Sequence, residues 1–129
     1  MSKDNKLSTL LANLSPQLNE GKYVFVTTEL INHVPLTEII SLIQEDEGFS
    51  LILKKEVADR LNLQYSYVAS WITLSLPTSL DAVGLTAAFS NELAENKISC
   101  NVVSGFYHDH IFVDLKDTKA ALSVLNSMS

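Results

Sequence analysis

Val83–Val113, VGLTAAFSNELAENKISCNVVSGFYHDHIFV, contains the change of period that decides the fold. Leu85, Phe89 and Leu93 recur at spacings of four, with Ala88 between them, so they share one face of a helix over Gly84–Asn96. Ser90, Asn91, Glu92 and Glu95 fall largely off that face. Ser79 or Asp81 is expected to cap the start, and Asn96 to take the left-handed position past the end. Gly84 stands at the entrance, where the missing side chain allows a close approach of backbone or ligand. The period then falls to two. Ile98, Cys100, Val102 and Ser104 alternate with Ser99, Asn101, Val103 and Gly105, which is strand spacing. Tyr107-His108-Asp109 reads as a turn into a second strand, with Ile111, Val113 and Leu115 on one side and His110, Phe112 and Asp114 on the other.

Outward from this stretch, Val68–Leu76 also alternates, setting Val68, Ser70, Ile72, Leu74 and Leu76 against Ala69, Trp71, Thr73 and Ser75. Downstream, Asp117 is placed to cap a helix that turns Ala121, Leu122, Leu125 and Met128 inward. The order strand, helix, strand, strand, helix is most of an α+β, ferredoxin-like sandwich, with helices on one face of an antiparallel sheet.

The N-terminal half repeats the plan in outline. Lys6–Leu14 is read as a short amphipathic helix ended by Ser15-Pro16. Tyr23–Thr28 follows as a strand, then a loop at Asn32–Pro35. Leu36–Ile43 fits helix or buried strand; the turn signal Glu45-Asp46-Glu47-Gly48 favours a strand ending near Gln44 and a partner over Phe49–Leu53. Lys54–Leu61 is a short helix, and Asn62–Ser66 links the halves. This half has no long helix after its first strand, and Leu7–Leu14 is expected to fill that place. The expected division is 1–64 and 65–129.

The 129 residues are 47% hydrophobic, enough for one core or two small cores. A net charge of −6, with no basic stripe and no aromatics set among Lys and Arg on the central strands, argues against nucleic acid and against an anionic membrane surface. The single cysteine, Cys100, cannot form an intrachain disulfide and is read as a small core hydrophobe. The first residues, MSKDNKLSTLLANL, lack a signal peptide's apolar run, and no segment approaches the ~20 apolar residues of a membrane span. The expected location is the cytoplasm.

Val83-Gly84-Leu85-Thr86-Ala87, Asn101-Val102-Val103 and Tyr107-His108-Asp109-His110, with Glu45-Asp46-Glu47-Gly48 and Trp71, carry a resemblance. The chain resembles small bacterial tandem ACT-domain proteins over nearly its whole length; the same broad family includes the animal cytosolic arginine sensor. The resemblance implies two ACT-like halves, a small-molecule ligand, first of all an amino acid, and a homodimer formed through sheet edges or faces. No cofactor and no catalysis are expected. The ACT ligand site lies at the first strand-to-helix loop, here Ser79–Thr86. A helix N-terminus presents unpaired N–H groups and roughly half an elementary positive charge, which suits a carboxylate. The expected ligand-binding residues are therefore Ser79, Asp81, Val83, Gly84, Leu85 and Thr86, with Asn101 able to donate and accept and Asp109 reading a cationic end.

Other chemistry finds less support. His108 and His110 stand two apart, as a metal pair on a strand does, but a turn between them breaks that geometry. A third ligand would have to come from His33 or the acidic turn; hydrogen-bonded histidines are the commoner arrangement. Glu45-Asp46-Glu47 is read first as a solvated turn, and Trp71 as a packing residue. Ser104 and His108 lack a nucleophile-elbow pattern, and there is no Walker loop or G-x-G-x-x-G. The alternatives to a sensor are a structural dimerisation module without a ligand and, last, a small metal-dependent enzyme on His108-Asp109-His110.

Overall fold

Val24 and Val26 stand opposite Leu53 and Leu51 on neighbouring antiparallel strands, and these pairs build the first of two cores. The computed structural model describes residues 11–75 and 83–128, which form two compact units: residues 20–69, and residues up to 19 together with those from 70 onward. In the first unit, β1 (Pro16–Thr28), β2 (Ile39–Glu45) and β3 (Gly48–Lys54) lie in the order β2-β3-β1, antiparallel at each step. A two-residue turn at Asp46-Glu47 joins β2 to β3 and sets Glu45 opposite Gly48. Helix α1 (Lys55–Arg60) buries Val57 and Ala58 against the valines and leucines of β1 and β3.

α1 ends in a Schellman arrangement. Asn62 takes φ 57°, its N–H donates to the Asp59 carbonyl, and the Leu63 N–H donates to the Ala58 carbonyl at 2.9 Å. Between β1 and β2, where a complete half would carry a helix, the chain makes two 3-10 turns, Ile31–His33 and Leu36–Glu38. The strand expected from Leu36 therefore starts at Ile39. Arg60 pairs with Glu38 and fastens the second turn to α1.

β1 starts seven residues before the expected Tyr23. Its first part, Gln17 to Lys22, is mostly polar and exposed, so it lacks the apolar alternation that marks a half-buried strand. Pro16 sits at the first position of the strand, where its missing N–H costs least.

The second unit takes the opening residues of β1, then β4 (Val68–Leu74), β6 (Asp109–Asp114) and β5 (Cys100–Ser104), in that order. Among its described residues it carries the helices α2 (Leu85–Glu95) and α3 (Thr118–Ser127). Ile72, Leu74, Ile111 and Val113 pack against Leu85, Phe89 and Leu93 of α2 and Ala121 and Leu125 of α3. One sheet face is thus covered by helices and the fold is α+β, ferredoxin-like, as the periodicity predicts. Residues 7–10 of the expected N-terminal helix lie outside the described residues, while Leu11 and Leu14 join this core and so do not fill the gap in the first half as expected. The reason is sequence position: the segment leads directly into the first residues of β1, which pair within this unit, the Ser15 carbonyl accepting from Ser75 N–H at 3.2 Å.

Two details of the deciding stretch differ from expectation. Asn96 has φ −93°, and the left-handed residue is Lys97, at φ 62°. Lys97 N–H donates to Ala94 and Ile98 N–H to Leu93, both at 2.9 Å, a second Schellman ending closed by Leu93 and Ile98 in the core. Asn96 contributes differently: its side-chain amide donates to the Glu92 carbonyl at 2.8 Å. The β5–β6 turn lies one to two residues earlier than read, closed by Gly105 N–H to His108 O at 2.9 Å, so Asp109 is the first residue of β6, opposite Ser104.

Candidate functional site

α2 is an eleven-residue helix entered through Gly84 at φ 94°, a backbone angle open to glycine and strained for other residues. The Gly84 carbonyl accepts the first helical bond, from Ala88 N–H at 3.0 Å. The N–H groups of Leu85, Thr86 and Ala87 therefore have no helical partner. Among the described residues no side chain caps them; Ser79 and Asp81 lie outside the described residues. Val83 is 81% exposed and Thr86 is exposed, while the Leu85 side chain is buried in the core. Only the backbone of Leu85 can face a ligand.

Asn101 and Asp109 reach this unit from β5 and β6. Asn101 is exposed, directly opposite Phe112, and Asp109 is half-buried at the hairpin. Among the described residues no hydrogen bond or ion pair ties Asp109 to the helix entrance. The expected set thus divides into the start of α2, where Val83 and Thr86 are exposed and Gly84 is half-buried, and two polar side chains on the β5–β6 hairpin.

The sheet face away from the helices carries a network that sequence periodicity did not announce. Trp71 Nε1–H donates to His110 Nδ1 at 3.0 Å, and Thr73 Oγ1 lies 3.2 Å from the same nitrogen. Asn19 Nδ2 donates to Thr73 Oγ1 at 2.9 Å and to the Trp71 carbonyl at 3.3 Å. Trp71 stacks on Phe112, ring centres 5.9 Å apart. The only sequence signal was that Trp71, Thr73, His110 and Phe112 occupy the non-aliphatic sides of their strands; Asn19 gave none. Trp71 is a packing residue, as expected, but one with a specific polar partner.

Burial, with His108 nearby, pushes the His110 imidazole below its ordinary value, and Asp109 opposes that only in part. The occupied Nδ1 also removes one of its two coordinating nitrogens. Among the described residues no group of three or more His, Cys, Asp or Glu is placed to hold a metal ion. Cys100 lies half-buried on the outer strand, and desolvation pushes its thiol up to about 11. It is a weak nucleophile.

Concave places also occur among the described residues of the first unit. One, of about 500 Å³, is lined by Lys22, Lys54 and Lys55 together with Glu20, Glu56 and Asp59. Lys55 is bound to Asp59 at 3.0 Å, and the Tyr65 hydroxyl donates to the same carboxylate at 2.6 Å. Another, about 420 Å³, surrounds the acidic turn Glu45-Asp46-Glu47 with Glu29. Ser50 donates to Glu45, while Asp46 and Glu47 are exposed, as in a solvated turn.

Comparison with known proteins agrees with this architecture. Two ACT-domain family models match the chain in tandem, over residues 4–70 and 66–127. A Vibrio cholerae protein of unknown function, described as a possible transport protein, is 41% identical, with 98% of each chain covered and a TM-score of 0.85. An Agrobacterium tumefaciens protein is 19% identical, covering 89% of this chain and 88% of its own, with a TM-score of 0.68. The ligand-free regulatory subunit of aspartate kinase from Thermus thermophilus shares the fold at 9% identity, with 88% and 95% covered and a TM-score of 0.65. No curated protein matches. The chain belongs to the ACT-domain family and carries two ACT domains in tandem. No helix among the described residues is long and apolar enough to cross a membrane.

Proposed function

We propose that this protein is a regulatory module that binds a small molecule, an amino acid first, and performs no catalysis. One observation carries the reading: in a chain matched by ACT models over residues 4–70 and 66–127, α2 opens at Gly84 with φ 94°, and among the described residues no side chain caps its first N–H groups. The N–H groups of Leu85, Thr86 and Ala87, reached past the side-chain-free Gly84, receive the carboxylate. A charge at such a terminus gains about 0.3–1 kcal/mol when exposed and ~2 when partly buried. Val83 borders the entrance, Ser79 and Asp81 precede it, and Asp109 takes the ammonium; Asn101, paired with Phe112 on the face away from the helices, takes no part. The site lies in the domain over 65–129, following the half over 1–64. No cofactor takes part, and the module works in the cytoplasm.

A thermal-shift screen over the twenty amino acids and the common nucleotides tests this. A ligand at 100 times its Kd adds about 2.7 kcal/mol to stability, so a clear rise in Tm is expected for at least one amino acid. Asp109→Asn should reduce it. Gly84→Val is a poor control, because φ 94° makes any side chain there strained.

A second reading draws on β2, the outer strand of its unit, which leaves Leu42 38% and Ile43 56% exposed. Unpaired strand edges with apolar residues pair with other chains. This reading makes the protein a homodimerising interaction module that needs no ligand. Ile43→Lys should then lower the mass seen by size exclusion with light scattering.

A further inference from the structure

The network on the outer sheet face fixes the state of one histidine by geometry. An indole N–H can only donate, so His110 Nδ1, 3.0 Å from Trp71 Nε1, must be an acceptor without a proton. Asn19 donates to Thr73 Oγ1, which leaves the Thr73 hydroxyl hydrogen free to point at the same nitrogen. The proton of the neutral ring therefore sits on Nε2. That side of the ring lies beneath the turn: a Cβ at Gly105 would stand 3.1 Å from Nε2 and 3.0 Å from the His108 carbonyl oxygen. The ring is held between the indole and the backbone that closes the β5–β6 hairpin.

We propose that His110 is an acid-sensitive latch for this hairpin: a proton on Nδ1 sets two donors face to face across the Trp71 contact, breaks it, and frees the turn at Gly105–His108. The titratable groups that act on the ring are His108, which opposes its protonation, and Asp109, which favours it. The facing residues of β4, Trp71 and Thr73, and Val103 opposite on β5 do not titrate in this range. The latch is independent of whether α2 seats a ligand. What moves is the tip bearing Phe106 and Tyr107, 79% and 75% exposed and in edge-to-face contact.

The chain has one tryptophan and three histidines, so both partners can be followed in the intact protein. Ring nitrogen shifts by NMR should give the Nε2–H tautomer for His110 and a titration midpoint below the ordinary imidazole value of 6.5. Trp71→Phe should raise that midpoint. Trp71 fluorescence should change as pH falls through the His110 midpoint, while far-UV circular dichroism stays constant. His110→Asn keeps an acceptor near the Nδ1 position and cannot titrate, so the fluorescence change should vanish. An Nδ1–H tautomer, a His110 midpoint indifferent to Trp71→Phe, an undiminished fluorescence change in His110→Asn, or loss of all structure over the same range would each overturn the latch.

Discussion

At Cys100 a side chain's chemistry follows from its place on the outer strand. Its thiol, moved from 9.0 to about 11, is ionised about a hundredfold less at a given pH than an unshifted thiol. Modification by a thiol-reactive disulfide at pH 8 should therefore be about two orders of magnitude slower in the native protein than in denaturant; equal rates would show a solvated thiolate. His110 makes the second residue-scale prediction. Its lowered pKa means that the unfolded chain binds a proton more readily than the folded one. Stability from this group is full above the ordinary value of 6.5 and is lost as pH falls through the folded value. Urea midpoints measured between pH 7.5 and 5 should fall with pH, and less so in His110→Asn. Neither residue's partners were legible in advance. The bond from Trp71 to His110 spans 39 positions, and the one from Asn19 to Thr73 spans 54. No local pattern records such distances.

Among the elements, α2 was the most legible, because Leu85, Phe89 and Leu93 repeat with the helical period and all three are buried. Phe89 is wholly buried, so Phe89→Ala should cost about 3–5 kcal/mol by chemical denaturation. The helix ends were less legible. Asn96 has the composition of a left-handed residue, yet the Schellman bonds place that conformation at Lys97. Lys97→Gly should accordingly raise stability by up to about 1 kcal/mol, where glycine inside a helix would lower it. A drop in the denaturation midpoint would show that Lys97 is not strained. β1 was half legible for the same kind of reason. Tyr23–Thr28 carries apolar residues, while Gln17–Lys22 is held by backbone pairing and by Asn19, neither of which leaves a hydrophobic period.

For the whole molecule, element order was legible and the assignment of segments to cores was not. Leu11 and Leu14 show why: amphipathic spacing says that a face is buried, not against what. The candidate site has the same mixture. The glycine entrance of α2 could be read from position alone, and its φ of 94° agrees with that reading. The hairpin turn at Gly105–His108 moved Asp109 onto a strand, a difference of one residue that decides which side chains share an edge. The account rests on the N–H groups at the start of α2, with Asp109, receiving a free amino acid. Titration calorimetry of the full chain with each of the twenty amino acids tests that most directly. Saturable heat for at least one of them, with affinity at least tenfold weaker in Asp109→Asn, is the predicted result. No heat from any of the twenty, arginine included, or an affinity unchanged by Asp109→Asn, would contradict it.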